Sequence, residues 1–442
     1  MRMVRMRSVD TVVRVGLIVL LAWAAAPAAG PGEAAGQVES ASPVVPGTGF
    51  NHSAFVRGYG SVGLNPAGLA LPGTPGWSVS FPSVGAGQSL GPVTLSDLNA
   101  YSGSPVSAER REIWLESIEA SGAQSGGGRS ELSVVSLNVG PFGFQFSGTA
   151  TARADLAPDA AELLLFGNAG RTGEARDFSL EGSRFDASAH SSVSVSYGQA
   201  LDVELMGMEE EALALGVTTR WVTGHALVLG RDLGSEVGSD PLQVGLDWPV
   251  VHTRSEAGAM DGGTGVALDL GASWEGGPWA ASLAIRDAVN TFSWDESSLE
   301  VRPGAAFFDG EHSETDFDPV AFDEASAAIR TAVSDMTFGP TVILGTGYRP
   351  AENLSLSADF RQQLGDGILH GPETHLGLGA EYRPDPVIPV RAGVAYITGG
   401  FRVGGGLGLA IGPVNLAGAG LYESGDEGDG AHVSLGFSIG AP

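Results

Sequence analysis

Two short segments carry the glycine and serine spacing of a serine nucleophile. Residues 87–91 (GQSLG) and 436–440 (GFSIG) both fit G-x-S-x-G. A nucleophile elbow needs a strand before the serine and a helix after it. Neither segment is followed by a helical pattern, and glycine and serine are so abundant in this chain that chance matches are expected. The sequence therefore predicts no catalytic residue and no enzyme.

Three residues that could bind a metal ion lie close together, namely His370, Glu373 and His375. In a zincin-type site two histidines lie one turn apart on the same face of a helix. Here the residues surround a Gly-Pro turn that leads into a predicted strand. The acidic runs 309–324 and 423–429 lack the spacing of a calcium-binding EF-hand and are interpreted as solvated loop residues. We therefore predict no metal site.

The glycines at 404–408 are similar to a phosphate-binding loop only in composition. No Lys-Ser or Lys-Thr pair and no helix follows Gly404, Gly405, Gly406 and Gly408. Glycine at these positions indicates a kinked strand or close packing against another segment. The sequence therefore predicts no cofactor.

Composition narrows the class of protein. The formal charge is −28, the chain has no lysine and no cysteine, and 67 residues are glycine. Such an acidic surface repels phosphate backbones, which argues against a nucleic-acid partner. The lack of cysteine excludes disulfides, thiolate metal sites and a lipobox. Glycine at roughly twice its average usage favours a β protein with many turns.

The N-terminus has the order of a secretory signal. Arg2, Arg5, Arg7 and Arg14 precede an apolar run at 15–26, and Ala26-Pro27-Ala28 offers an A-x-A cleavage site. We predict a signal peptide at 1–28, with a second candidate site after 34–36 and an uncleaved anchor as the alternative. No later apolar run reaches the roughly 18 residues of a spanning helix.

From about Trp77 onward, apolar residues alternate with small or polar ones, which is typical of strands with one apolar face. In segment 376–383, one face carries Leu376, Leu378, Ala380 and Tyr382, and the other carries Gly377, Gly379, Glu381 and Arg383. Segments 213–221, 266–274, 354–361 and 432–439 repeat the pattern. Segment 155–168 is the one predicted short helix.

Both a soluble sandwich and a membrane barrel would show this alternation. Two features favour the barrel: the strands run about 9–11 residues, and many apolar faces end in an aromatic residue. These aromatics are Trp221, Trp274, Tyr348, Tyr382 and Tyr396. Short turns at 348–353 and 382–386 contrast with long acidic loops predicted at 230–240, 295–323 and 423–430. We predict an all-β transmembrane antiparallel barrel of about 14 strands.

Several segments resemble a known family. Residues 58–71 (GYGSVGLNPAGLAL), and above all Asn65, Pro66, Ala67 and Gly68, resemble the N-terminal hatch motif of the FadL superfamily, which includes the PorV-like proteins. Segments 263–274, 345–363 and 375–396 are similar to its strands. The chain lacks the terminal aromatic residue expected of such a barrel, since it ends in Phe437-Ser438-Ile439-Gly440-Ala441-Pro442.

The resemblance implies a hatch or plug at 29–76 inside a barrel at 77–442. It implies either passage of a hydrophobic ligand or, as in PorV-like members, a role in protein secretion. No ligand-contacting residue can be matched. For Asn65-Pro66 a structural role in folding the hatch and a gating role both remain open.

Charged residues on the small, polar faces are expected inside the barrel, because an arginine facing the lipid at mid-membrane costs about 2–4 kcal/mol. The candidate lumen-facing residues are Arg220, Asp269, Asp359, Arg361, Glu381 and Arg391.

Three functions are consistent with the sequence. The first is an outer-membrane transporter of hydrophobic or amphipathic small molecules in a Gram-negative-type bacterium. The second is a secretion-associated or scaffold barrel that binds exported proteins, and the third is a secreted soluble β-sandwich or adhesin. For a barrel the expected partners are outer-membrane lipid, a hydrophobic small-molecule ligand and the barrel-assembly machinery.

Overall fold

The structure, a computed structural model, describes residues 42–174, 176–208, 210–258, 260–365, 367–368, 372–425 and 428–440. The predicted signal peptide at 1–28, the start of the predicted hatch at 29–41, and His370 lie outside these residues. No helix among the described residues is long and apolar enough to cross a membrane.

Fourteen antiparallel strands form one closed barrel, which confirms the predicted fold class and strand number. The strands are β1 Trp77–Gly91, β2 Gln124–Val139, β3 Phe142–Leu156, β4 Arg184–Leu201, β5 Ala212–Arg231, β6 Gly263–Gly276, β7 Trp279–Asn290, β8 Thr341–Ala351, β9 Leu354–Gln363, β10 Thr374–Asp385, β11 Ile388–Ile397, β12 Gly400–Ile411, β13 Val414–Gly425 and β14 Gly428–Gly440. Strand β1 pairs with both β2 and β14, which closes the barrel.

The outer face of the barrel is apolar. Leu378 and Leu407 are each 62% exposed, and Leu376, Val394 and Leu435 are more than half exposed. A protein whose large apolar side chains point away from its own interior needs an apolar solvent around it, and a lipid bilayer supplies one. The structure thus orients the apolar faces of the predicted strands outward.

The inner face is small and polar. Hydroxyl groups pair across neighbouring strands, with 3.0 Å between Ser147 Oγ and Ser192 Oγ and 2.6 Å between Ser196 Oγ and Thr218 Oγ1. Buried hydroxyls need such partners, because an unpaired buried polar group costs about 1–3 kcal/mol. Hydroxyl side chains of neighbouring strands therefore satisfy one another in the lumen.

The two ends of the barrel differ. One, the short-turn end, has the connections 140–141, 277–278, 352–353, 386–387, 412–413 and one longer connection at 202–211. The other, the long-loop end, has the connections 92–123, 157–183, 232–262, 291–340 and 364–373, together with the short connections 398–399 and 426–427.

The prediction of a long acidic loop at 423–430 was wrong. Strands β13 and β14 run to Gly425 and from Gly428, and Glu423 is buried inside the barrel. Residues on the inward face of a strand do not contact lipid, so they can be polar. A strand whose inward face carries Glu and Ser therefore has a sequence similar to that of a solvated loop.

The long loops carry their own secondary structure. Helices are α2 Leu95–Ala100, α3 Ala108–Ser121, α4 Pro158–Phe166 and α5 Ala327–Ser334, after α1 Val44–Gly47 near the N-terminus. Short strands are Phe178–Ser179, Glu236–Ser239, Leu242–Asp247, Val250–Thr253, Ser293–Trp294, Leu299–Arg302, Ala305–Phe308, Ser313–Asp316 and Val320–Ala321. Single turns of 3-10 helix are Ser53–Phe55, Gly58–Ser61, Pro66–Leu69, Glu296–Ser298 and Phe322–Glu324.

The prediction of a single helix was therefore wrong in number. Helix α4 lies within the predicted 155–168, but α3 is longer and was missed. Only Trp114, Leu115 and Ile118 of α3 are buried, so the apolar period that reveals a helix is weak.

Aromatic side chains mark the edges of the apolar belt. At the short-turn end Trp279 and Tyr348 lie 4.4 Å apart, and Phe142 and Tyr197 lie 5.1 Å apart. Trp221, Tyr396 and Phe401 lie toward the other end and are each at least half exposed. Such paired girdles are typical of the two interfaces of a membrane barrel.

Glu211 anchors the longer connection at the short-turn end. Its carboxylate accepts hydrogen bonds from the Trp274 indole at 2.6 Å and from the backbone N–H groups of Leu205 and Met206 at 2.7 and 2.9 Å. Desolvation acts to raise the pKa of Glu211, but these hydrogen bonds outweigh it and lower the pKa to about 2.

The outward orientation of Leu378 predicts the effect of a charge there. Leu378→Arg should lower the free energy of unfolding in lipid vesicles by about 2–4 kcal/mol, measured by urea titration. Leu364→Arg, at a half-exposed loop position beyond β9, should change it by less than about 0.5 kcal/mol. Equal effects of the two substitutions would contradict a lipid-facing β10.

Candidate functional site

The N-terminal segment fills the barrel. Residues 42–76 contain α1 and the 3-10 turns Ser53–Phe55, Gly58–Ser61 and Pro66–Leu69, and most of their side chains are buried. We call residues 42–76 the hatch. It packs against strands on several sides of the barrel, from β12 near Pro46 to β4 near Leu69.

Glycines of the wall make room for the hatch. A Cβ atom at Gly393 would overlap the backbone of Thr48, and one at Gly216 would overlap the backbone of Pro66 and Ala67. The same holds, against other hatch atoms, at Gly143, Gly198, Gly271, Gly345, Gly347, Gly377, Gly379, Gly404, Gly406 and Gly436. We call these positions the glycine track. The close packing predicted for the 404–408 run is confirmed at Gly404 and Gly406.

Two buried asparagines bind the hatch to the wall. Asn51 Nδ2 donates to the carbonyl oxygen of Leu378 at 3.1 Å, and His375 Nε2 lies 2.9 Å from Asn51 Oδ1. Asn65 Nδ2 donates to Ser273 Oγ at 3.0 Å and to the Ala272 carbonyl at 3.2 Å. The hatch is irregular and does not pair with the wall as a strand would. The side-chain amides of Asn51 and Asn65 supply hydrogen bonds to the wall instead.

The Asn65-Pro66-Ala67-Gly68 motif has a local structural explanation. Asn65 precedes the 3-10 turn Pro66–Leu69, and its Oδ1 accepts from Ala67 N–H at 3.1 Å. Pro66 stands in the first turn, where a missing N–H costs nothing. Gly68 is packed so tightly against Val56 and Ser61 that a Cβ would clash. The motif forms a turn and docks it on β5 and β6.

Asp359 is the charged anchor of the hatch. Its fully buried carboxylate accepts from the backbone N–H groups of His52 and Ser53 at 3.2 and 3.1 Å, and Arg361 lies 3.4 Å away. Arg361 also donates to the Phe50 carbonyl. One ion pair of the wall therefore holds both a donor and an acceptor of the hatch.

All six residues expected to face the lumen are at least nine-tenths buried within the barrel. Arg220 pairs with Asp269 at 3.0 Å, and Arg391 pairs with Glu381 at 2.7 Å. The structure thus brings the six residues together as three pairs, on β5 and β6, on β9, and on β10 and β11.

Sequence reasoning missed other members of this charged layer. Asp287, at a bulge of β7, binds Arg220 at 2.6 Å, and Arg402 pairs with Glu423. Arg286 is 2% exposed, and its guanidinium has no hydrogen-bond partner among the described residues. The regular alternation of β12 could have predicted that Arg402 faces the lumen. No feature of the sequence predicts the bulge that turns Asp287 inward.

The long-loop end is closed by an apolar cluster. Wall residues Leu227 and Leu229 pack with Phe292, Ile329 and Phe338 from the long loops. Phe338 also lies 4.9 Å from the ring of His190 on β4. We call this cluster the apolar cap. A molecule that enters from this end meets apolar side chains first and the charged layer next.

A cavity of about 420 Å³ lies between the hatch and strands β8 to β14, toward the short-turn end. Val45 and His52 of the hatch line it on one side, and Glu381 and Arg391 of the wall on another. Its volume falls at the lower end of the range for small-molecule sites, which is about 300–1,000 Å³.

The residues that first suggested chemistry serve the barrel. Both G-x-S-x-G segments lie in strands, on β1 and β14. The expectation that no helix follows residues 87–91 was wrong, since α2 begins at Leu95, but Ser89 lies within β1 and not at the turn between the strand and the helix. His375 is buried against Asn51, and Glu373 immediately precedes β10. No group of three or more potential metal ligands occurs among the described residues.

No protein-family model matches the chain, and no curated protein matches it. Several solved structures are similar in fold. The toluene transporter TbuX of Ralstonia pickettii is 12% identical, with 92% of this chain and 99% of that chain covered and a TM-score of 0.44. A FadL homologue of Pseudomonas aeruginosa is 13% identical over 92% and 100%, with a TM-score of 0.45. The toluene transporter TodX of P. putida is 10% identical over 91% and 99%, with a TM-score of 0.48.

The glycine track predicts a steric penalty. Gly216→Ala places a methyl group into the backbone of Pro66 and Ala67, so it should lower the free energy of unfolding by at least about 1–3 kcal/mol and expose the hatch to protease in detergent. Gly420→Ala on β13, where a Cβ would meet no atom within 4 Å, is the matched control. Equal protection of both variants would show that the wall does not depend on this glycine.

The anchor role of Asp359 predicts a larger loss. Asp359→Ala leaves two buried N–H groups and Arg361 without their acceptor, so we expect about 3–5 kcal/mol of destabilisation in urea titrations. Asp316→Ala, in an exposed hairpin of the long-loop end, should stay within about 0.5 kcal/mol. A neutral Asp359→Ala would contradict the anchor.

Proposed function

We propose that this protein is an outer-membrane transporter for hydrophobic or amphipathic small molecules. The observation that carries the proposal is the inverted barrel around a filled lumen: apolar side chains face outward, and charges and a hatch lie inside. Such a barrel suits a membrane, because its closed sheet leaves no open edge in the lipid and its outward side chains are apolar.

The filled lumen limits which molecules could pass through the barrel. The hatch occupies the space that a porin leaves to water, and Asn51, Asn65 and Asp359 attach it to the wall. A wide aqueous channel is therefore not the expected route. Passage requires local movement of the hatch, or of the wall beside it, around a molecule small enough to share the lumen.

The apolar cap supports a hydrophobic cargo. Phe292, Ile329 and Phe338 pack at the mouth of the barrel and belong to the long loops rather than to the wall itself. Apolar molecules partition into such clusters with a free-energy gain of roughly 25 cal/mol per Å² of surface removed from water. TbuX and TodX, which are similar in fold, are toluene transporters.

The proposal is tested by uptake in a Gram-negative host that lacks channels for hydrophobic compounds. Cells that express the protein should accumulate labelled toluene faster than cells with an empty vector. The protein itself should be found in the detergent-extracted outer membrane. Equal uptake by both cell types would overturn the transport proposal, and recovery of the protein in the soluble fraction would overturn the membrane location.

A disulfide between the hatch and the wall tests whether the hatch has to move during uptake. The chain has no cysteine, and Ser53 Oγ lies 3.1 Å from Ser282 Oγ on β7. In S53C/S282C, oxidation should slow uptake at least severalfold and a reductant should restore it, whereas each single variant should be insensitive to oxidation. Unchanged uptake by the oxidised double variant would show that the hatch need not move at this point.

A further inference from the structure

The cavity at the short-turn end has an unusual charge for this protein. Four arginines line it, Arg57, Arg349, Arg383 and Arg391, against the two carboxylates of Glu352 and Glu381. Glu275, which pairs with Arg57 and Arg349, still leaves one more positive than negative charge. In a chain of net charge −28, this cavity has the opposite sign to the whole molecule.

Two glutamates at this cavity, Glu381 in its wall and Glu275 beside it, are each shared between two guanidinium groups. Glu381 accepts from Arg391 at 2.7 Å and from Arg383 at 2.9 Å, and Glu275 binds Arg57 and Arg349. One carboxylate can neutralise only one guanidinium, so each trio keeps a positive charge. An anion that enters the cavity would therefore complete the ion pairing rather than compete with it.

Arg391 lines the cavity and, within the described part of the chain, has an unused hydrogen-bond donor. Its side chain is 6% exposed, and its Nε is engaged by Glu381 while its Nη1 has no hydrogen-bond partner among the described residues. A buried guanidinium N–H without an acceptor is costly, and guanidinium groups bind carboxylates through paired, directional hydrogen bonds. The guanidinium of Arg391 therefore has hydrogen-bonding capacity that the described residues do not use.

The rest of the cavity is apolar enough to hold the body of a small molecule. Val45, Phe55 and Val56 of the hatch line one side of it, and Pro389 and Ala417, on the inner faces of β11 and β13, line another. Its volume of about 420 Å³ limits the ligand to a compact molecule.

We propose that this cavity is a binding site for a compact organic carboxylate, whose anionic group pairs with Arg391 and whose apolar body lies between the hatch and strands β11 and β13. The site lies beyond the hatch from the apolar cap. It deepens the proposed function, because it selects among amphipathic molecules at the short-turn end, but binding there does not require transport.

The test is calorimetric titration of the detergent-purified protein with benzoate, with benzyl alcohol as its neutral counterpart. Benzoate should bind at least tenfold more tightly than benzyl alcohol. Arg391→Gln should weaken benzoate binding at least tenfold and leave benzyl alcohol unchanged, and Arg171→Gln, in a loop of the long-loop end, should change neither. Equal binding of the two probes, or of benzoate by the wild type and Arg391→Gln, would overturn the proposal.

A second pair of variants keeps all charges. Ala417→Phe fills the cavity from β13 and should abolish benzoate binding, whereas Ala392→Phe, on the outer face of β11, should not. Benzoate binding retained by Ala417→Phe would place the anion elsewhere. Inorganic phosphate should displace benzoate poorly, and displacement as effective as that by benzoate itself would show that the site reads charge alone. Failure of toluene uptake with intact benzoate binding would defeat the transport function and leave this site standing.

Discussion

The need to pair every backbone N–H and C=O group in an apolar solvent governs this structure. A sheet meets that need in a bilayer only when its edges join, and here β1 joins β14. In the closed barrel the apolar side chains lie outside and the polar side chains inside, which is the opposite of a soluble protein. The lipid receives Leu378 and Leu407, and the charged residues can lie only in the lumen or beyond the membrane.

The enclosed lumen has in turn to satisfy its own polar groups. Arginine pairs with aspartate or glutamate across neighbouring strands, as in Arg220 with Asp269 and Arg402 with Glu423. The hatch contributes further acceptors and donors, such as the backbone N–H groups held by Asp359. Hatch and wall are therefore one polar network, and the glycine track brings their backbones close enough to form it.

The alternating sequence predicted the barrel class, the strand number and the inward side of Arg220 and Glu381, since period-two patterns follow directly from strand geometry. It could not predict the bulge at Asp287, which depends on how β6 and β7 meet, or the free guanidinium of Arg286. Glu423 was misread because only the three-dimensional neighbour Arg402 distinguishes an inward acid from a loop acid. The cavity could not be predicted either, because the residues that line it, such as Val45, Glu381 and Leu416, lie far apart in sequence and come together only in the fold.

The seam between β1 and β14 also constrains how the molecule is made. The hatch precedes β1 in the chain, whereas β14 is the last strand of the barrel. Once the seam is sealed, the glycine track leaves little clearance for a folded segment to thread inside. The wall must then curl around an already seated hatch, so biogenesis would end with the zipping of the first strand to the last.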